Sequence, residues 1–472
     1  MSAAAKGVPA PGTPPKPPRK SAGRDMTSGS PARHILLFSL PLLAGNLLQQ
    51  LYNMVDSIVV GRFVGSTALA AVGSAFPVVF LLISLFMGFG TGAMVMVSQF
   101  FGANDKPRVK ATVDTVYTTL LAAAIPMTVL GILLIRPAAY LLAVPADTRP
   151  EFEVYMFILI LGLAANLGYN ANAGILQGVG DSRTSLLFLA IACALNIVLD
   201  LAFVLVFHWG VAGVAIATSL SQAVSWLFGI WFINRRYPEM RIEPLRFGFD
   251  KALFGQVVRL GVPAGIQQAL FSFGIMAMLR LINGFGSTFT AGYNAGNKVD
   301  MLVFMPIQSF SVAVTTYVGQ NIGAGKPERV RQGTRAALGM SVVWSIAVGA
   351  ALYPLSALCM HLFSDDPAVI AAGVAFLHRI LPFYALLAVF FMLNGVMRGA
   401  GAMTVPVVAS ILSLWLARVP AAYLLAHFFG APNLNFCFVI GWLLGLCITV
   451  PYYFSGRWKN KGVVQNTPLP TA

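Results

Sequence analysis

Val97-Ser98-Gln99-Phe100-Phe101-Gly102-Ala103 returns 221 residues later as Val318-Gly319-Gln320-Asn321-Ile322-Gly323-Ala324. Two shorter stretches return at the same offset. Phe63-Val64-Gly65-Ser66-Thr67 is matched by Gly284-Phe285-Gly286-Ser287-Thr288, and Gly178-Val179-Gly180 by Gly399-Ala400-Gly401. One such match arises by chance; three at one spacing mark a chain built from two copies of one unit.

Each copy is too apolar for a soluble domain. Hydrophobic residues make up 57% of the 472 and charged residues 10%, against roughly 25% charge in soluble domains. A membrane-spanning helix needs roughly 20 mostly apolar residues, and such runs recur along the chain. Lipid offers no water to an open backbone, so helices are the expected form; the alternating ten-residue segments of a β-barrel are absent. Twelve spans are predicted, at 35–60, 70–100, 112–135, 152–177, 185–207, 211–233, 253–283, 289–320, 336–361, 369–397, 403–428 and 434–455. Six fit inside one offset, so both copies have the same orientation, as in a parallel repeat about an axis along the membrane normal. The expected architecture is all-α: an N-terminal lobe over 34–233, a linker over 234–251 and a C-terminal lobe over 252–456.

The net charge of +15, from 31 basic and 16 acidic residues, sits in loops and tails. Loops after even-numbered spans are basic, with Lys106, Arg108, Lys110, Arg183, Arg235, Arg236, Lys326, Arg329 and Arg398; loops after odd-numbered spans hold Asp147, Glu151, Glu153, Asp365 and Asp366. This asymmetry places both termini in the cytoplasm. Residues 1–33 are expected to be a disordered basic tail, without the apolar core of a signal peptide, and 457–472 a second cytoplasmic tail. No basic face exists outside the loops, which argues against a nucleic-acid partner. Cys193, Cys359, Cys437 and Cys447 form no CxxC pair and read as small buried hydrophobes. There is no HExxH and no Walker motif, so no catalytic metal or resident cofactor is expected, and transport would draw on an ion gradient.

Four stretches resemble a known family: Asn53-Met54-Val55-Asp56, Gln99-Phe100-Phe101-Gly102-Ala103, Leu176-Gln177-Gly178-Val179-Gly180-Asp181 and Leu195-Asn196-Ile197-Val198-Leu199-Asp200. Together they are similar to the multidrug and toxic compound extrusion family, in the branch named after the DNA-damage-inducible protein F, over residues 34–457. The resemblance implies two six-helix lobes arranged as a V, and export of cationic amphiphiles in exchange for H+ or Na+. It implies that Asp56, Asn196, Asp200 and Thr218 form the cation site, that Tyr155 and Asn170 are polar neighbours, and that Pro41 bends the first helix. A further asparagine is expected about three residues after Asn170; Ala173 stands there, with Asn172 beside it as the nearest member of the polar network.

The residues point to the same region without the family. A charge at the bilayer centre costs from roughly 2.5 to more than 10 kcal/mol, so an intramembrane acid is a functional candidate by default. Asp56 and Asp200 are the acids well inside N-half spans, and Asn196 and Asp200 share a helix face at i, i+4. Paired carboxylates in an apolar setting suit proton pick-up, and with amide and hydroxyl oxygens they suit Na+ as well. The repeat supplies an internal control: the mates of Asp56, Tyr155, Asn170, Asn196, Asp200 and Thr218 are Ala277, Phe376, Phe391, Ala417, Ala421 and Val439. Cation coupling is therefore expected in the N-half. The alternative is a hydrogen-bond network that only fixes helix packing.

The C-half has its own charges, Lys298, Asp300 and Arg418, with Arg280 snorkelling at a span end. Arg418 lies deep and needs a partner, for which Asp300 is the candidate; the pair is either structural or substrate-binding. The function expected is a cation-coupled multidrug exporter in a bacterial-type inner membrane, working as a monomer on small drug-like molecules with lipid around it. The runner-up is a lipid-linked precursor flippase, with Arg280, Lys298 and Arg418 meeting a phosphate. A membrane-embedded enzyme would need a clustered nucleophile and base or a metal set, and none is visible.

Overall fold

The computed structural model of the protein describes residues 23–466 apart from 143, 244, 245 and 247. Eleven of its helices are long and apolar enough to cross a membrane, and a bent pair makes a twelfth span. In chain order they are α1 Pro31–Val64, α2 Ser66–Gly102, α3 Lys106–Leu141, α4 Arg149–Leu161 with Leu163–Gly178, α5 Ser182–Val206, α6 Gly210–Arg236, α7 Lys251–Asn283, α8 Ser287–Gly323, α9 Pro327–His361, α10 Pro367–Gly399, α11 Thr404–Phe429 and α12 Ala431–Phe454. Each falls on one predicted span. α2 and α8 are 37 residues each, and both their ends obey the 221 offset. At 1.5 Å per residue they are about 55 Å long, so they project well beyond the roughly 30 Å of hydrocarbon.

The loop acids do local work. Asp105, Asp181, Asp250 and Asp366 are the N-caps of α3, α5, α7 and α10. Their carboxylates accept from first-turn amides, as at Arg108 N (3.1 Å), Thr184 N (3.0 Å), Leu253 N (3.0 Å) and Ala368 N (2.8 Å), which satisfies donors that a helix start leaves open. The 49° bend in α4 falls at Gly162. Ser219 of α6 presses there and donates to the Ile158 carbonyl at 3.5 Å, beside the ladder bond from Gly162 N to the same oxygen at 3.0 Å.

Helices α1–α6 and α7–α12 form the two lobes of a V. The lobes meet through α1 and α2 on one side and α7 and α8 on the other. Glycines let the backbones touch: a Cβ on Gly88 would lie 2.2 Å from the Gly261 oxygen and 2.4 Å from the Gly265 nitrogen. Close approach of small residues is how helices associate in lipid, where water exclusion gives no drive. The lobe contacts continue from Asn46 Nδ2 donating to Ser309 Oγ at 3.3 Å toward the ends of the helices that carry the basic loops.

The linker packs on the N-lobe: Tyr237 OH donates to Asp181 Oδ2 at 2.7 Å and Thr118 Oγ1 to the Gly248 carbonyl at 2.9 Å. Of the tail expected to be disordered over 1–33, residues 1–22 lie outside the described residues. Residues from Gly23 on are ordered, with Met26 fully buried and α1 beginning at Pro31. The expectation failed there because composition does not register backbone hydrogen bonds to a distant part of the chain.

The glycine crossing is testable. Gly88→Leu should lower stability by about 1–3 kcal/mol or more through overpacking. Gly339→Ala, where nothing lies within 4 Å of the added Cβ, should leave stability level or slightly higher. Thermal unfolding of both variants in detergent checks this, and equal melting of the two would refute the crossing.

Candidate functional site

The N-lobe cluster is assembled from four helices. α1 brings Tyr52 and Asp56, α5 Asn196 and Asp200, α6 Thr218 and α4 Tyr155. Asp200, Asn196 and Tyr155 are buried, and Asp56 and Thr218 are half-buried. The carboxyl groups of Asp56 and Asp200 are within hydrogen-bonding reach of one another. Two carboxylate oxygens so placed need a shared proton or an intervening cation, because neither can donate when both are ionised. The Oδ1 atoms of both aspartates are buried and have no protein partner.

Asn196 orders the pair. With its amide nitrogen toward Asp200 it donates to Oδ2 at 3.0 Å, while its oxygen accepts from Thr218 N and Thr218 Oγ1, each at 3.3 Å. Tyr52 and Tyr155 stand close enough to both carboxylates to interact electrostatically, and Tyr52 also reaches Thr218. Val59, Val60, Val204, Val211 and Val214 belong with Tyr155 to one buried apolar cluster on the same helices. Both acid-bearing helices change winding just past the carboxylates, α1 becoming π-helical over Val60–Val64 and α5 over Ala202–Val206. Such insertions often mark functional sites.

The asparagines divide. Asn170 Nδ2 donates to the Asn166 carbonyl at 2.8 Å and to Asn166 Oδ1 at 3.0 Å, and Asn166 Nδ2 donates to Gln222 Oε1 at 2.9 Å. Gln222 lies one turn from Thr218 on the same face of α6, so this polar chain leads away from the acid pair. Asn172 belongs to neither group. It accepts from the Tyr117 hydroxyl, donates to the Trp226 carbonyl at 3.0 Å and is fully buried. Its place in a cavity network is thus corrected to a packing contact between α3, α4 and α6, because two residues along a helix point to different sides. Pro41 lies inside an unbroken α-helical run, Pro31–Val59, and the change of winding in α1 comes after Asp56 instead.

Sequence reading missed Tyr52, Asn166 and Gln222. Each is four residues from a residue already singled out (Asp56, Asn170 and Thr218), so helical spacing carried the signal.

In the C-lobe, the mates of the polar residues are packing groups. Phe376, the counterpart of Tyr155, is fully buried and meets Tyr293 edge-on, with ring centroids 4.9 Å apart. The expected Asp300–Arg418 pair is not closed: it is absent from the ion pairs of the described residues. Arg418 instead lies over the Phe438 ring at 3.5 Å, where the quadrupole of the ring face attracts a cation, and acts on Asp300 only through space. Lys298 is exposed, with its ammonium 5.8 Å from the Phe363 ring.

The structure is thus a duplicated bundle of up to twelve apolar helices with an acid pair, Asp56 and Asp200, in one half. The MatE family model matches twice, at residues 41–202 and 263–424, in keeping with the internal repeat. The chain belongs to the MatE family. It is 31% identical over 436 residues to the probable multidrug resistance protein YpnP of Bacillus subtilis, spanning 92% of this chain and 97% of that one. It is 25% identical to the probable multidrug resistance protein NorM of Thermotoga maritima over 92% and 94% of the two chains. Its fold matches that of the Vibrio cholerae MATE transporter VcmN in the bent form, with a TM-score of 0.84 at 20% identity over 91% and 98% of the two chains.

The packing role of Asn172 gives a prediction. Asn172→Ala leaves the buried Tyr117 hydroxyl unpaired and should lower stability by about 1–3 kcal/mol, read by thermal unfolding. Asp56→Asn, which relieves a carboxylate–carboxylate contact, should not. Unchanged melting of the Asn172 variant would restore that residue to the cavity.

Proposed function

We propose that this protein is a secondary antiporter that exports cationic amphiphilic compounds in exchange for H+ or Na+ by alternating access. The observation that carries the proposal is the Asp56–Asp200 pair, held with Asn196 and Thr218. A buried carboxylate pair is tolerable only when a positive charge neutralises it. A site of this kind takes one cation at a time, so H+ and Na+ compete for the same oxygens. When the site empties toward one side, the negative charge left behind favours a cationic substrate in the same lobe, and reloading expels it.

The polar alternative, a network that only fixes packing, is served elsewhere. Asn172 is hydrogen-bonded to Tyr117 and the Trp226 carbonyl, and Asn166 to Gln222, whereas one oxygen of each aspartate is buried without a protein partner. The flippase reading leaned on Arg280, Lys298 and Arg418 together, and of these Arg418 is engaged with Phe438. The names of the relatives, multidrug resistance proteins, favour export of drug-like compounds. The basic loops favour an inner-membrane location with both termini cytoplasmic, and all four site groups come from one chain, as a working monomer requires.

The test is cationic-dye export from proteoliposomes with separately imposed pH and Na+ gradients. Asp200→Asn should reduce gradient-driven export by about tenfold or more, as expected for loss of an intramembrane carboxylate that carries the ion, with insertion and yield unchanged. Raising Na+ should relieve dependence on the pH gradient in the wild type. Undiminished export by a well-inserted Asp200→Asn variant would overturn the proposal.

A further inference from the structure

The motifs that revealed the duplication take no part in the ion site, yet the structure gathers them at one place. At the basic ends of α2 and α8, Gln99 and Gln320 cross the lobe boundary in reciprocal fashion. Gln99 Nε2 donates to the Gly399 carbonyl of the C-lobe at 2.8 Å, and Gln320 Nε2 donates to the Gly178 carbonyl of the N-lobe at 3.3 Å. Both glutamines are fully buried. The backbones touch in the same reciprocal way: a Cβ on Gly102 would lie 1.9 Å from the Gln320 oxygen, and one on Gly323 would lie 1.8 Å from the Gln99 oxygen. The contact has two-fold pseudosymmetry.

The remaining amide oxygen of each glutamine is taken by a segment outside the spans. Gln320 Oε1 accepts from Met26 N at 2.9 Å, and Gln99 Oε1 accepts from Val463 N at 2.6 Å. Each segment also lies on the glycine turn of the other lobe. Arg24 N donates to the Val179 carbonyl at 3.0 Å, and the Arg24 oxygen lies 2.7 Å from where a Cβ on Gly180 would stand. The Lys461 oxygen stands at the same 2.7 Å from that position on Gly401. Gly180 and Gly401 have φ of 83° and 85°, a backbone that favours glycine. The two segments come from opposite ends of the described chain and are not repeat mates, yet they fill equivalent places.

Both are anchored. Asn321 Nδ2 and an Arg329 guanidinium nitrogen donate to the Met26 carbonyl at 3.3 and 3.1 Å, Arg329 also donates to the Gly29 carbonyl at 3.0 Å, and Lys326 Nζ donates to the Thr27 carbonyl at 2.9 Å. Trp458 is buried and stacks on Tyr453 at 5.5 Å.

We propose that residues 24–29 and 457–466 are two straps that lock the cytoplasmic gate. Each runs from the glycine turn of one lobe to the buried glutamine of the other, so the lobes cannot part at α2 and α8 until the straps let go. Strap release is then an obligatory step of inward opening, and the grip of the straps sets how much of the protein opens inward. This rests on the alternating-access reading, but the gate is measured directly, so failure of the straps and failure of that reading look different.

The experiment is pulsed electron–electron distance measurement on the full chain in lipid nanodiscs, with Cys193, Cys359, Cys437 and Cys447 replaced by alanine. Spin labels go at Arg183→Cys and Arg331→Cys, exposed positions on the basic end of each lobe. Val463→Pro deletes the strap donor at the first position of a helical turn, where proline is accepted, and Gly462 before it has φ −57° and ψ 139°, which suits a residue preceding proline. Arg329→Gln frees the other strap, and Gln320→Leu removes its acceptor from the opposite side. Each variant should raise the long-distance population about threefold or more over wild type, with the Val463→Pro/Arg329→Gln double variant above either single one. A wild type that switches between two distances with pH or Na+ while all four variants match it would overturn the straps. A wild type with one distance under every condition would overturn alternating access, and the straps with it.

Discussion

Two carboxyl groups brought within hydrogen-bonding reach, one buried and one half-buried, impose a condition on everything around them: ionised together they repel unless a positive charge lies between them. Asp56 and Asp200 are such a pair, and in the function proposed above a proton or a metal cation supplies the charge. The lobe is built to keep them in register. Asn196 sits one turn before Asp200 and ties it to Thr218 on the next helix, and Tyr52 and Tyr155 close the sides. The change of winding just after each aspartate places irregular backbone where local rearrangement is easiest.

The duplication divides labour. Where the halves must meet, the repeat is kept in detail: glutamine, glycine and turn recur at equal spacing and close on one another reciprocally. Where the N-lobe carries its polar cluster, the C-lobe packs, with Phe376 and Val439 in the core positions of Tyr155 and Thr218. Arg418 on Phe438 is a fixed charge in the C-lobe held without a closed ion pair. In the function proposed above, a symmetric contact around an asymmetric site would let the ion state of one lobe bias a motion that both lobes share.

Much of this was legible in the sequence because lipid enforces simple rules. Apolar length located all twelve spans, and the fixed offset of the repeat divided them into two lobes of equal orientation. Intramembrane charge, read against the repeat, isolated Asp56 and Asp200, and four-residue spacing would have added Tyr52. What remained hidden depends on direction and distance rather than composition. Asn170 and Asn172 are two residues apart and serve different networks. Arg418 chose an aromatic face over a carboxylate. The helices overrun their apolar runs because polar residues continue the hydrogen-bond ladder beyond the lipid. The ordered segment around Met26 was invisible because its partners, Gln320, Asn321 and Arg329, lie about three hundred residues away.

The central claim is that substrate and coupling ion displace one another at the acid pair. Its most direct measurement is ion release on substrate binding to the purified protein in weakly buffered detergent solution, followed with a pH indicator and a Na+ electrode as a cationic dye is added. The account predicts close to one cation released per dye bound, from whichever ion was loaded, and none from the Asp56→Asn/Asp200→Asn double variant. Stoichiometric dye binding by the wild type with no ion released, or equal release from the double variant, would contradict it.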